Sequence, residues 1–328
     1  MRRSLDMSAV VFIAAMLMLG VAAAVVVLRH PFGGASAGAR HHYLDSPYQS
    51  LLFYRGQLHV QSGRAIGHAL PRDLSRAYER KGYQWVSITD LNTLTLTNAF
   101  DTPNIVAVPG TEAQYPFGRL LEYGVEEIAP ATSLQDAIDN VHTLAGAVIL
   151  SRPKDPPRVS VDQAMSLRRL DAVEIYDARL HHENPPVSDA TDMWDQMLTR
   201  GRHTWAVIGD DTLDIEGPNS TLGQTSVDVQ VAELNPPLIY DAIRHGAFVD
   251  STGVRVLGVD TTTRTDSIRV ITSDATTIKW YGRGGTLLAT TNGADGTYRV
   301  KWNEMYVRAV ASRADGAQAW TQPIFVIP

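Results

Sequence analysis

No cysteine occurs in the 328 residues. That excludes disulfides, thiolate metal sites and a cysteine nucleophile. Basic runs are also lacking. Twenty-nine Lys and Arg stand against 35 Asp and Glu, a formal net charge of -6, so nucleic acid is not an expected partner. There is no glycine-rich phosphate loop of Walker or Rossmann type and no GxSxG elbow. Low-complexity tracts and solenoid-period repeats are missing too. An apolar content of 44% with 20% charged residues describes a folded protein, and its length leaves room for two domains behind a short N-terminal segment.

One long apolar run is present. Met1-Arg2-Arg3 precede an uncharged stretch from Met7 to Leu28, and those 22 positions reach roughly 33 Å as a helix, enough to cross a bilayer core. Residues 1–28 are therefore expected to be a transmembrane anchor, although Ala35-Ser36-Ala37 can pass for a cleavage site. Residues 29–50, rich in Gly, Ala, Ser and His, read as a linker. His41-His42, and His181-His182 in a polar loop, read as surface residues rather than metal ligands.

From 51 to about 252, helix, glycine and short apolar strand recur. Helices are expected over Pro71–Lys81, Ser133–Ala145, Ser160–Leu170, Asp189–Arg200 and Pro236–His245. Strands are expected at Tyr83–Thr89, Ile105–Pro109, Ala147–Leu150, Ala172–Tyr176, Thr204–Gly209 and Ala247–Asp250. This alternation predicts a parallel α/β domain, either a TIM-like barrel or an open sheet. From 253 to 328, alternating runs rich in Thr, Val and aromatics, separated by Gly284-Gly285, Asn292-Gly293 and Asp315-Gly316, predict an antiparallel β-sandwich.

Eight segments, in order, resemble motifs of the polymerase-and-histidinol-phosphatase (PHP) family, in its exported branch with a C-terminal β-sandwich. Tyr54-Arg55-Gly56-Gln57-Leu58-His59 through Ser62 resembles the opening motif, and Gly82 through Asn92, with Thr89-Asp90-Leu91, resembles "GYDFVAITDHN". Val108-Pro109-Gly110-Thr111-Glu112 is similar to "IPGxE", Gly146–Pro153 to "GGVVILAHP", and Leu170–Tyr176 to "LDAIEVYN". Trp205–Leu213, Ala242–Gly253 and the pair Tyr306–Arg308 with Ala319–Ile324 complete the series. The resemblance implies a (β/α)7 barrel over 51–252, a sandwich over 253–328, and a former site for two or three metal ions at the C-terminal mouth of the barrel.

Carried over position by position, the resemblance implies that His59, Asp90, Glu112 and Asp211 are retained family-site residues. Gln61, Ile66, Leu91, Arg119, Arg152 and Leu213 stand where the family places ligands. Leu and Ile cannot coordinate, Gln is a weak ligand for zinc-like ions, and Arg is cationic. The expectation is no metal, no cofactor and no catalytic residue. Arg119 or Arg152 is expected to pair with Glu112 or Asp211, with Asp90 and Asp210 in the same cluster. The function expected is a structural or accessory subunit of a larger membrane protein complex, held in the lipid bilayer with its N-terminus cytoplasmic and its globular part periplasmic. The alternatives are an exported metal-dependent phosphoesterase with a reduced site, or a ligand-binding module reusing the pocket.

Overall fold

A computed structural model describes residues 43–49, 51–262 and 266–327. The anchor expected over 1–28 lies outside the described residues, as does most of the expected linker.

Seven strands stand side by side in chain order: β2 (Phe53–Gln57), β3 (Trp85–Ile88), β4 (Val106–Tyr115), β5 (Gly118–Tyr123), β6 (Ala147–Ser151), β7 (Ala172–Asp177) and β8 (Trp205–Gly209). A further short strand, β1 (Tyr43–Asp45), precedes them. β2, β3 and β4 run parallel, as do β6, β7 and β8. Between them β5 is antiparallel to both neighbours. The ends of the seven-strand run meet, because Val60 beyond β2 bridges Thr212 beyond β8 in parallel. There the Asp211 amide donates to the His59 carbonyl at 2.9 Å and the Gln61 amide to the Thr212 carbonyl at 3.1 Å.

The alternation read from the sequence is interrupted at β4–β5. Only Pro116 and Phe117 separate these strands, and a parallel crossover needs a dozen or more residues. A hairpin is the connection this spacing allows.

The helices pack outside this run. They are α1 (Pro71–Arg80), α2 (Leu134–Thr143), α3 (Val161–Ser166), α4 (Ala178–Glu183), α5 (Pro185–Ser188), α6 (Thr191–Thr199) and α7 (Pro236–His245). Pro71 opens α1, where a missing N–H costs nothing. Ser160 and Gln163 form the capping box expected for α3. Gly246, at φ 75°, ends α7 in the left-handed conformation. β3 and β6, covered on both faces, are buried throughout.

After β8 come β9 (Ser226–Gln230), β10 (Phe248–Ser251), β11 (Val256–Thr262), β12 (Ser267–Thr272), β13 (Thr277–Gly282), β14 (Thr286–Asn292), β15 (Asp295–Arg299), β16 (Tyr306–Ser312), β17 (Gln318–Thr321) and β18 (Ile324–Ile327). β11, β12 and β15 form a separate three-stranded sheet. Its Val259, Ile268, Val270 and Tyr298 share a core with Ile278 and Trp280 of β13 and Ala309 of β16. That is the two-layer antiparallel packing expected of the last third.

Strand pairing crosses two of the expected boundaries. The sheet does not break at 252/253: β10 pairs with β9 on one side and with β17 on the other, antiparallel to both. β17 satisfies the hydrogen-bonding edge that β10 would otherwise expose. Nor is all of 29–50 a linker. β1 pairs with β18, Tyr43 opposite Ile327 and Asp45 opposite Phe325. Leu44 and Tyr48 are buried, and the Tyr48 hydroxyl donates to the Phe248 carbonyl at 3.1 Å. Two apolar side chains in an otherwise polar stretch were enough to seal that edge.

The two layers of architecture are also joined by side chains. Arg308 on β16 donates to both oxygens of Asp195 on α6, at 2.9 and 2.7 Å, and the Tyr306 hydroxyl donates to the same carboxylate at 3.0 Å.

Candidate functional site

The C-terminal ends of β2, β4, β6, β7 and β8 converge on buried ionisable groups. His59, two residues past β2, is fully buried. Its Nδ1 lies 2.7 Å from Oε1 of Glu174 on β7. Its Nε2 lies 3.4 Å from Asp211 Oδ1 and 3.6 Å from Glu112 Oε2. The Ser151 hydroxyl, ending β6, sits 3.2 Å from Glu112 Oε1 and 3.0 Å from Glu174 Oε2. Gln61 donates its amide to Glu112 Oε2 at 2.9 Å and accepts from the Leu91 amide at 2.9 Å.

Two guanidiniums close the group. Arg152 places Nη1 3.2 Å from Asp211 Oδ2, Nε 3.5 Å from Asp177 Oδ2 and Nη2 3.1 Å from Asp155 Oδ2. Arg179, on α4, puts Nη2 2.6 Å and Nε 3.0 Å from the same Asp211 oxygen. Asp177 serves the fold as well: its other oxygen accepts the Leu180 amide at 2.6 Å and caps α4.

Backbone geometry makes room for this. A Cβ on Gly209 would fall 2.5 Å from Glu174 Oε1 and 2.7 Å from His59 Cβ, so only glycine at the end of β8 permits the His59–Glu174 contact. Arg152 and Asp211 adopt left-handed backbones, φ 45° and 43°, uncommon for residues with side chains. Each turn aims its side chain at the strand ends rather than along the sheet.

Electrostatics follow from burial and neighbours. Burial opposes charge on His59, but the fields of Asp211 and Glu174, with hydrogen bonding to Glu112 and Glu174, carry its pKa well above the usual histidine value. Burial works against the Asp211 carboxylate too, yet His59, Arg179 and Arg152 hold its pKa at about 2. For Glu112 the burial penalty is likewise outweighed, chiefly by His59, and its pKa falls. Asp177 moves the other way, well above the usual carboxylate range, because burial and the charges on Asp211 and Glu174 exceed the help from Arg152.

The sequence-expected residues divide accordingly. His59, Gln61, Glu112, Arg152 and Asp211 come together. Asp90 and Asp210 do not join their charges to the cluster, a correction to the sequence reading. Asp90 accepts from the hydroxyls of Ser62 at 2.7 Å and Thr95 at 2.5 Å. Asp210 accepts from the Tyr78 hydroxyl at 2.8 Å and the Thr225 amide at 2.7 Å. Each is buried with its own donors, so neither needs a metal or an arginine.

Arg119 reaches neither Glu112 nor Asp211. It pairs with Asp155 at 2.9 Å and donates to the Pro156 carbonyl at 3.0 Å, because β5 runs antiparallel and places it at the outer rim. Ile66 is 41% exposed. Leu91 and Leu213 are half-buried and contribute backbone only, Leu91 bridging Glu112 and Leu213 accepting from the His68 amide at 2.9 Å.

Sequence reasoning passed over Ser151, Glu174, Asp177 and Arg179. The signal for Glu174 was available: it lies within the quoted run Leu170–Tyr176, and alternation along β7 points it inward with Ala172. Arg179 had no motif around it and comes into range only through the short helix capped by Asp177.

The group can be tested as a cation site. His59 Nε2, Asp177 Oδ2 and Asp211 Oδ1 are buried without a hydrogen-bond partner, and His59, Asp177 and Asp211 offer ligand atoms within 4.8 Å of one another. A multinuclear centre does not fit. Both oxygens of Glu112 are engaged by Gln61 and Ser151, and two guanidiniums occupy Asp211 Oδ2.

No family model matches the chain, and no curated protein matches it. Solved structures do. The chain is similar to a two-domain protein containing a predicted PHP-like metal-dependent phosphoesterase from Bacteroides vulgatus ATCC 8482, with a TM-score of 0.48 and 11% identity over 88% of this chain and 91% of that one. It is also similar to a candidate metal-dependent phosphoesterase from Bifidobacterium adolescentis ATCC 15703, with a TM-score of 0.41 and 13% identity over 58% of this chain and 96% of that one.

Proposed function

We propose that this chain is a non-catalytic, exported relative of the PHP metallohydrolases, in which fixed cationic side chains hold the place of the metals. One observation carries the reading: the Arg152 guanidinium lies 3.2 Å from Asp211 and 3.5 Å from Asp177, between two of the three residues best placed to bind a cation. Four carboxylates (Glu112, Glu174, Asp177, Asp211) face three bases (His59, Arg152, Arg179), so buried negative charge is largely offset from within. A divalent ion entering here would meet two guanidiniums and would have to displace at least one.

On this reading the folded part is a binding body. The apolar run Met7–Leu28 supports a permanent anchor, and an anchored binding body fits an accessory subunit of a membrane complex, where tethering raises effective concentration at the partner. Among the described residues, no helix is long and apolar enough to cross a membrane, so the anchor rests on that N-terminal run. Residues 51–252 and 253–328 would then be two modules sharing one sheet.

The test is metal content and turnover of the full-length chain. After incubation with zinc or manganese and removal of free ion, elemental analysis should find no stoichiometric metal, and bis(p-nitrophenyl) phosphate should remain uncleaved. Metal at one per chain, with hydrolysis abolished by Asp211→Asn, would overturn the reading. The subunit claim has its own test, crosslinking and sizing after gentle detergent extraction. A lone monomer at native abundance with no crosslinked neighbour would sink it.

A second reading has an observation of its own. His59 Nε2, Asp177 Oδ2 and Asp211 Oδ1 lie in ion-pair contacts but make no hydrogen bond, and they are what a single-ion phosphoesterase site would need, provided Arg152 swings out. Metal bound by the Arg152→Ala chain but not by the native one would separate a displaced site from a working one.

A further inference from the structure

A second cavity, of about 340 Å³, opens at the far end of β2 from His59. Its floor is one face of three adjacent strands. Arg55 on β2 stands opposite Asp228 on β9, and Ser226 on β9 stands opposite Ser251 on β10. Alternation sends Val227 and Val229 to the other face, into the apolar core. Lys81, from the turn after α1, and Arg255, from the segment before β11, complete the lining.

Two features mark it as more than a surface dimple. Asp228 is 7% exposed, and its Oδ1 is buried without a hydrogen-bond partner. Arg55 lies directly across the strand pair and its Nε is buried without a partner as well. Its Nη2 donates to the Tyr83 hydroxyl at 3.2 Å and its guanidinium lies 4.4 Å over the Tyr83 ring, which fixes its direction. Ser226 hydrogen-bonds to the Asp228 carboxylate, and Arg55 and Arg255 lend it their fields, yet one oxygen of Asp228 and the Nε of Arg55 are left without a hydrogen bond, an uncommon state for buried polar atoms. Among the described residues, Arg55, Lys81 and Arg255 enter no ion pair with a carboxylate. Three cations around one carboxylate leave the cavity with a surplus of positive charge.

We infer that this cavity binds a small phosphomonoester that also carries a hydroxyl. Phosphate oxygens would accept from Arg55, Lys81 and Arg255, whose donors suit a multidentate anion. The hydroxyl would donate to the free oxygen of Asp228 while all three terminal phosphate oxygens stay with the cations, whereas hydrogen phosphate can donate only from its own P–OH, which draws its charge against the carboxylate. The dianion matches the surplus charge, and the hydroxyl satisfies the carboxylate. Leu52 and Leu257 line the mouth, 75% and 53% exposed, so the same headgroup chemistry can come from a free ester or from a lipid.

The experiment uses the full-length chain in detergent, with sn-glycerol 3-phosphate, inorganic phosphate and glycerol as probes, read by calorimetry and melting temperature. Glycerol 3-phosphate should bind roughly tenfold tighter than inorganic phosphate, and glycerol alone should not bind. Asp228→Val should remove that preference while strengthening inorganic phosphate, a reversal that a merely structural role would not produce. Lys81→Met and Arg255→Met, both on the exposed rim, should each weaken both phosphate probes without changing the fold. Adding lysophosphatidic acid, a lipid that presents the same phosphomonoester and hydroxyl, to the micelles distinguishes the sources: competition with glycerol 3-phosphate assigns a lipid headgroup, and its absence a soluble ester. No binding of either phosphate probe, or equal binding of both by the native chain, overturns the inference.

Discussion

Arg152 and Asp211 meet side chain to side chain at 3.2 Å, each from a left-handed backbone turn at the end of its own strand. Holding two residues with side chains in that region costs on the order of 1–3 kcal/mol each. Such a conformation persists where surrounding contacts over-determine it, and here the contact is the ion pair itself. The pair thus holds two left-handed turns in place while each side chain offsets the other's buried charge.

Truncating Arg152 to alanine should strand Asp211 and Asp177 and cost about 3–5 kcal/mol. Urea unfolding measures this. Asp211→Asn in the same chain should restore part of the loss, since neighbouring changes are not additive. An unchanged unfolding midpoint for Arg152→Ala would dispose of the charge-replacement account.

Arg119 should behave differently, although the sequence placed it alongside Arg152. It touches only the rim, and its partner Asp155 keeps a second contact with Arg152 at 3.1 Å. Arg119→Ala should therefore cost about 1 kcal/mol or less. A loss equal to that of Arg152→Ala would show that the rim and the buried cluster act as one unit.

Gly209→Ala adds one methyl group in the wrong place. Its Cβ would lie 2.5 Å from Glu174 Oε1, and overpacking of this kind costs about 1–3 kcal/mol. The His59–Glu174 bond should break, which NMR of the imidazole nitrogens can follow. Unaltered imidazole signals would contradict the steric account.

Glu122 offers a test by pH outside the site. Burial pushes its pKa up to about 7, against some help from the Tyr115 hydroxyl, which donates to it at 2.8 Å. An unfolded glutamate titrates near 4.3, so between about 4.3 and 7 the folded state holds the extra proton. Stability from this group is fully present below the lower value and is lost as pH rises through the upper one. Glu122→Gln keeps an acceptor for Tyr115 and removes the titration, so it should stabilise the protein by about 2–3 kcal/mol at pH 8 and flatten the slope. A variant no more stable than the native chain at pH 8 would refute this.

The sequence made much of this visible, for identifiable reasons. Helices with caps and a following glycine, such as the one from Pro236 to His245, carry local signals and fall where expected. β5 carries no such signal, because its existence depends on the two-residue link before it and on β6 beside it. His59, Glu112 and Asp211 were legible only through the resemblance, whose motifs mark those positions, and not through periodicity or composition. Asp90 and Asp210 were misjudged because charge type says nothing of the hydroxyls and amides that long-range packing supplies. Arg179 was invisible for a related reason: it reaches Asp211 from 32 residues away, in a helix too short to announce itself.

The pairing of β1 with β18 bears on how the chain matures. Tyr43–Asp45 leave the ribosome long before their partner Phe325–Ile327 is made. β10 likewise waits for β17 before its second edge is covered. Contacts of such sequence separation form slowly, since a long loop must close before they reward it. During synthesis the earlier strands therefore stand with an open edge, a template for pairing with other chains. Gln318–Thr321 and Ile324–Ile327 act as a latch, and the nascent chain stays vulnerable until they arrive.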